Sequence, residues 1–255
     1  MLSTEDLVAA AHPLINDIGS GFYFTPEALA VGREYGLDGY RFYFLGRGGV
    51  LGDVEPAVVA SAFGYFHPAL VERMWTSGLE RSGLSARQLG QIYLRCCHEF
   101  GRRHLGQVSG LDAFCEAASV VNSVSDRAGL TLYAAIAAQP LPSDLPARAV
   151  QLAAVLREFR GSAHLVAVTA TDGIDPLAAH AIRRPESWTL FGHDEDSRPQ
   201  GTAQRHAALI HADTLTDRLV MPAFDALDAD ARNALLDGLT AIQRALPQRA
   251  TASRG

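Results

Sequence analysis

Two histidines and an arginine lie within one short stretch whose residue types and spacing suit acid–base chemistry. Leu156-Arg-Glu-Phe-Arg-Gly-Ser-Ala-His164 leads to Gly173-Ile-Asp-Pro-Leu-Ala-Ala-His180. The pattern reads as helix, tight turn, helix, with one imidazole on each helix and Arg160 at the entrance. Imidazoles titrate near neutrality, so two facing one pocket can act as base and acid or share a ligand. The same pair also fits two histidines bonding backbone carbonyls at a tight crossing. Zinc needs three or four converging ligands, so neither a metal nor a cofactor is expected.

Tyr65-Phe-His-Pro68 adds His67, an imidazole just before a helix start, as a further acid–base candidate or a satisfied helix-start residue. Arg160, or Arg47, would orient an anionic or carbonyl group. Phe42, Phe44, Phe63 and Tyr65 would line an apolar pocket. Gly46-Arg-Gly-Gly-Val-Leu-Gly52 has the look of a phosphate loop. That loop requires a parallel β-α-β unit, and the surrounding residues are helix formers. A tight turn between helices, with glycine at left-handed angles, is the expectation. Asp217 pairs with an arginine elsewhere, such as Arg160, or lies on a solvated helix face. The acidic run Gly192-His-Asp-Glu-Asp196 is expected to be solvated.

The elements that must position these groups read as helices almost throughout. Thr25-Pro26-Glu27 and Asp175-Pro176 are cap-plus-proline starts. Ser85 caps a long helix with apolar residues at helical spacing. Residues 38–47 suit helix or strand, and Gly48-Gly49 would end that element. A helix from about Glu55 to Phe66 is followed by a short one from Pro68 to Trp75. Gly161 would separate a helix over 147–159 from one over 162–171. Residues 184–203 form a loop, and the helix after it bends at Pro222. The proline-rich link Gln139–Pro146 divides an N-terminal helical subdomain, 1–139, from a C-terminal one, 146–247. The polar tail, 248–255, would be frayed.

The chain's 255 residues allow one large or two small domains. A net charge of −6 argues against a broadly basic nucleic-acid-binding surface. Cys96, Cys97 and Cys115 suit a reducing cytoplasm. No apolar run spans a bilayer and the start is acidic where a signal peptide would be basic. A cytoplasmic protein without membrane contact is expected.

Residues 22–227 resemble an actinobacterial family often labelled helix-turn-helix or MarR-like winged-helix. The resemblance rests on Phe24-Thr-Pro-Glu-Ala28, Tyr43-Phe-Leu-Gly-Arg-Gly-Gly-Val-Leu-Gly52 and Phe63-Gly-Tyr-Phe-His-Pro-Ala-Leu-Val71. It continues through Arg127-Ala-Gly-Leu130, the 156–166 and 173–176 segments, and Leu215-Thr-Asp-Arg-Leu219. Residues 181–214 carry no Leu-Thr-x-x-Gly wing, and His67 stands where the family pattern favours asparagine.

An all-α fold of two packed helical subdomains follows, the second containing a helix-turn-helix-like unit. The leading functional expectation is a binder of a hydrophobic small molecule, recruited as a cofactor-independent acid–base enzyme of specialised metabolism. DNA binding is not expected on this reading, and a homodimer is compatible with it. One alternative is a ligand-responsive regulator with residues 162–184 as its helix-turn-helix and Arg183-Arg184 at the phosphates. The other is a noncatalytic protein that sequesters its ligand.

Overall fold

In the computed structural model, which describes residues 2–247, twelve α-helices and no strand occur among the described residues. The tail expected to fray, 248–255, lies outside them. The helices are α1 Thr4–Gly19, α2 Pro26–Glu34, α3 Gly39–Gly48, α4 Pro56–Phe63, α5 Pro68–Ser82 and α6 Ala86–Leu105. They continue as α7 Leu111–Val124, α8 Thr131–Ala137, α9 Leu145–Ala170, α10 Pro176–Arg183, α11 Ala203–Asp225 and α12 Ala229–Ala245.

Side-chain caps set most of the starts. Thr25, Ser85, Asp144, Asp175 and Asp228 each accept a backbone N–H from the first turn of their helices, satisfying donors the helix itself leaves unpaired. Ser85 and Gln88 complete a reciprocal capping box. The aromatic run at 40–45 is helical, started by Asp38, whose carboxylate accepts from Arg41 N. α5 continues past Trp75 to Ser82 and stops at Gly83, in the left-handed region at φ 62°.

α9 is the axis of the molecule. Every residue from Ala149 to Leu156 is buried. A helix with no polar face over two turns must be surrounded, and α1, α6, α7, α8, α10 and α11 pack around it. Small residues permit close approach: a Cβ on Gly19 of α1 would sit 2.7 Å from the Ala153 carbonyl. Buried leucines such as Leu152 and Leu156 each contribute about 1.5–3 kcal/mol. One buried cluster runs from Leu7 to Leu246, and a small second one joins Val168, Ala179, Leu209 and Ala212.

Two local expectations are corrected. Gly161 does not interrupt a helix, because α9 runs through it to Ala170. The cost of a helical glycine is only about 1 kcal/mol, small beside the burial of the flanking turns. The glycines at 46, 48 and 49 are helical rather than left-handed; Gly52 alone in that run has positive φ, 91°. Their role is close packing. A Cβ on Gly46 would meet Tyr93 at 2.2 Å, and one on Gly49 would meet the Ala86 carbonyl at 2.2 Å.

Candidate ligand cavity and helix-turn-helix

A cavity of about 570 Å³ lies beside α9, walled by α1, α3, α4, α10 and α11. At its inner end Glu158 is 1 % exposed. Its carboxylate accepts from Arg47 Nε at 2.9 Å and Nη2 at 2.8 Å, from Arg157 Nη1 at 2.7 Å, and from Tyr23 Oη at 3.2 Å. Burial alone would raise its pKa, but the Arg47 and Arg157 charges outweigh it and hold the carboxyl at about 2. Arg47 also donates to Tyr43 Oη and lies over the Phe63 ring at 4.3 Å.

Arg160 bridges α1 and α11. Its Nε donates to His12 Nδ1 at 2.6 Å and its Nη2 to Asp217 Oδ1 at 3.1 Å. A nitrogen that accepts carries no proton, so neutral His12 is protonated at Nε2. Burial, then the Arg160 charge, lowers its pKa to about 3. Asp217 Oδ1 lies 3.7 Å from His12 Nδ1, but with the imidazole neutral the two form no ion pair. His12 Nε2 is buried without a partner.

His164 is held from behind. Thr216 Oγ1 donates its one hydrogen to the Ala212 carbonyl at 2.7 Å, so it accepts from His164 Nδ1 at 3.0 Å. That places the proton on Nδ1 and the free lone pair on Nε2. Asp213 Oδ1 lies 3.7 Å from the same Nδ1, while its Oδ2 accepts from Arg183 on α10. Burial lowers the His164 pKa to about 4, against the raising influence of Asp213.

His180 is 5 % exposed and stacks on Phe191 at 4.1 Å. Burial, then the neighbouring His193, lowers its pKa to about 4, against a raising hydrogen bond to Ser187. His180 Nε2 and Tyr65 Oη are both buried without a partner. Burial also raises the Tyr65 pKa, so its hydroxyl stays protonated.

The segment after α10 closes over this site as a strap of three 3₁₀ turns. Phe191 stacks on Phe66 at 3.9 Å, and its carbonyl accepts from His67 N at 2.9 Å. Tyr40 Oη donates to the Leu190 carbonyl at 2.9 Å. Trp188 is buried and donates from Nε1 to the Asp194 carbonyl. His193, expected in a solvated run, is 6 % exposed and bonds the Tyr65 carbonyl, whereas Asp194, Glu195 and Asp196 are exposed.

Arg47, Phe63, Tyr65, Arg160, His164 and His180 therefore meet at one cavity. Three other candidates do not reach it. Phe42 packs on Tyr93, and Phe44 is buried against Phe63 and Phe66. His67 is exposed and caps α5, accepting from Ala69 N. Sequence reading passed over His12, Arg157 and Glu158. The charged pair at 157–158, directly after the largely apolar run Ala149–Leu156, was the available signal. Among the described residues no group of three or more His, Cys, Asp or Glu is placed to hold a metal ion. Nor is any helix there long and apolar enough to cross a membrane.

The last turns of α9, the five-residue turn Thr171–Asp175 with Gly173 at φ 83°, and α10 form a helix-turn-helix. α10 turns Ala178, Ala179, His180 and Ala181 inward and leaves Leu177, Arg183 and Arg184 exposed. No β-wing follows among the described residues.

Among the described residues the architecture is all-helical, with a helix-turn-helix abutting a partly open cavity lined by charged and aromatic side chains. A family model described as a helix-turn-helix family matches residues 8–198, and the chain belongs to that family. No curated protein and no solved structure matches it. Membership corrects the expectation that DNA is not a partner. That expectation rested on net charge and on the missing wing. A helix-turn-helix reads the major groove through its second helix, and a local basic edge suffices where overall charge is negative.

Proposed function

We propose that the protein is a ligand-responsive helix-turn-helix regulator of transcription. It would bind duplex DNA through α9 and α10, with Arg184 at the phosphate backbone and Arg183 beside it, and a small molecule in the cavity. The observation that carries this reading is a shared wall. His164 on α9 and Ala179, His180 and Arg183 on α10 line the cavity. A ligand shifts an equilibrium only through different contacts with its two states, and an occupant here touches the groove-reading helix itself.

The test is fluorescence anisotropy with labelled duplexes tiling the DNA around the protein's own gene, at low and at physiological salt. A steep fall of affinity with salt is expected, because phosphate contacts release counterions. Absence of binding to every fragment at low salt sinks the regulator reading.

A second reading is favoured by one observation. His164 is neutral, with Nδ1–H held by Thr216 and the Nε2 lone pair free, and its ring stacks at 6.3 Å from that of Tyr65. A fixed base beside a protonated phenol is what acid–base catalysis requires. His164→Gln would then abolish turnover with little change in Tm. Equal activity in wild type and variant removes this reading.

A further inference from the structure

The cavity wall is strongly cationic in an acidic protein. Five arginines line it, Arg47, Arg157, Arg160, Arg183 and Arg184, against two carboxylates, Glu158 and Asp217. Asp213 neutralises Arg183 from behind, and Asp217 neutralises Arg160. At the inner end two guanidiniums share the single carboxylate of Glu158. One positive charge there has no counterion among the described residues.

That surplus resides on Arg157. Arg47 holds Glu158 through two parallel bonds, whereas Arg157 contributes one nitrogen to it. Arg157 Nε is buried with no partner. The Arg157 side chain as a whole is partly exposed and lines the cavity, and the planar fork of arginine matches a carboxylate in geometry and charge. His12 and Tyr65 lie on the same wall, with His12 Nε2 and Tyr65 Oη enclosed by protein. Tyr43, Phe63, Phe66 and Phe191 supply flat apolar surface between them.

We propose that the cavity's ligand is an aromatic carboxylate, its carboxylate bound by Arg157 and its ring held among Phe63, Phe66 and Phe191. The proposal rests on the ligand-binding half of the reading above, and names the chemical class. The carboxylate neutralises the surplus charge. The neutral state of the three histidines leaves the arginines alone to set the preference for an anion.

Isothermal titration of the full chain with benzoate, salicylate and 1-naphthoate, against the neutral amides benzamide and 1-naphthamide, tests this. The acids are expected to bind and the matched amides to bind about 10- to 100-fold more weakly, the span for a charged hydrogen bond. Arg157→Gln is expected to remove the acid–amide difference, and Arg157→Lys to restore part of it. Arg157→Gln should stay folded, since Glu158 keeps both bonds to Arg47; circular dichroism checks that. Equal binding of acids and amides, no binding of any acid, or an undiminished preference in folded Arg157→Gln overturns the proposal. Anisotropy with DNA, run in parallel, separates the two readings. Acid binding without DNA binding keeps this inference and removes the regulator. DNA released by an amide but not by its acid does the reverse.

Discussion

Replacing Glu158 with glutamine probes the balance on which the interior depends. The carboxylate is 1 % exposed and accepts four hydrogen bonds, three of them from guanidiniums. An amide of the same shape removes the charge and turns an N–H pair toward groups that only donate. The native environment holds the carboxyl at about 2 rather than 4.5. At about 1.4 kcal/mol per pH unit that difference is worth about 3 kcal/mol. Removing one member of a buried ion pair costs about 3–5 kcal/mol by direct comparison, so the two routes agree. A chain of this size loses about 2–4 °C in Tm per kcal/mol, and the expected drop is roughly 10 °C at neutral pH. The folded pKa lies below the unfolded one. The stabilisation is therefore complete above 4.5 and is lost as pH falls from there toward 2. Differential scanning calorimetry of both proteins should show the gap in Tm closing across that window. A drop under about 2 °C at neutral pH, or a gap that ignores acid, refutes the charge-balance argument.

His12, His164 and His180 all have folded pKa values, about 3, 4 and 4, below the usual 6.5. Below 6.5 the unfolded chain takes up protons that the folded one refuses, so stability should fall from 6.5 toward 4 by up to about 1.4 kcal/mol per pH unit for each imidazole. Changing all three to glutamine should flatten Tm over that range, and an unchanged slope contradicts their buried neutral state. Gly49→Ala forces a Cβ to 2.2 Å from the Ala86 carbonyl, which is backbone and cannot step aside. It should cost about 1–3 kcal/mol or more by urea denaturation, and a neutral result would show that α3 and α6 are not in the contact described.

The helices were readable wherever a local signal decides them. Thr25-Pro26, Ser85 with Gln88, and Asp175-Pro176 act within one turn, and each starts a helix at that point. Errors arose where tertiary contact overrides a local preference. Gly161 looks like a break, yet α9 is enclosed on either side of it. Gly46 and Gly49 look like turn residues, but they are required by Tyr93 and Gly90 of α6, some forty residues away in sequence. The site divides on the same line. His164, His180 and Arg160 lie close in sequence and could be proposed together. Asp217 of α11, offered from sequence as a partner for Arg160 or as part of a solvated face, does pair with it at 3.1 Å, whereas His12 joins from α1 and nothing local to it announces Arg160. Phe42 and Phe44 were misplaced because the rotation of α3 decides which residues of the aromatic run face the core, and His67 because it caps α5, the other role its position before Pro68 allowed.

On the proposed function, Asp213 is where ligand occupancy and α10 position would meet. It lies on α11, holds Arg183 of α10 through Oδ2, and faces His164 Nδ1 of α9 at 3.7 Å through an Oδ1 that is buried without a hydrogen bond. Arg183 lines the cavity, so an anionic occupant would compete with Asp213 for it. Were Arg183 drawn inward, Asp213 would lose its hydrogen-bond partner, and the end of α10 would shift with its arginine. Two such arrangements of one contact are what a claim of coupling needs. Asp213→Asn weakens the hold on Arg183 in the unliganded state, so the two arrangements come closer in energy. The variant is expected to bind DNA with a changed affinity that an added aromatic carboxylate alters little, whereas wild type responds strongly in the same anisotropy titration. An equal response in both removes Asp213 from the link and leaves direct contact with His180 as the route from cavity to α10.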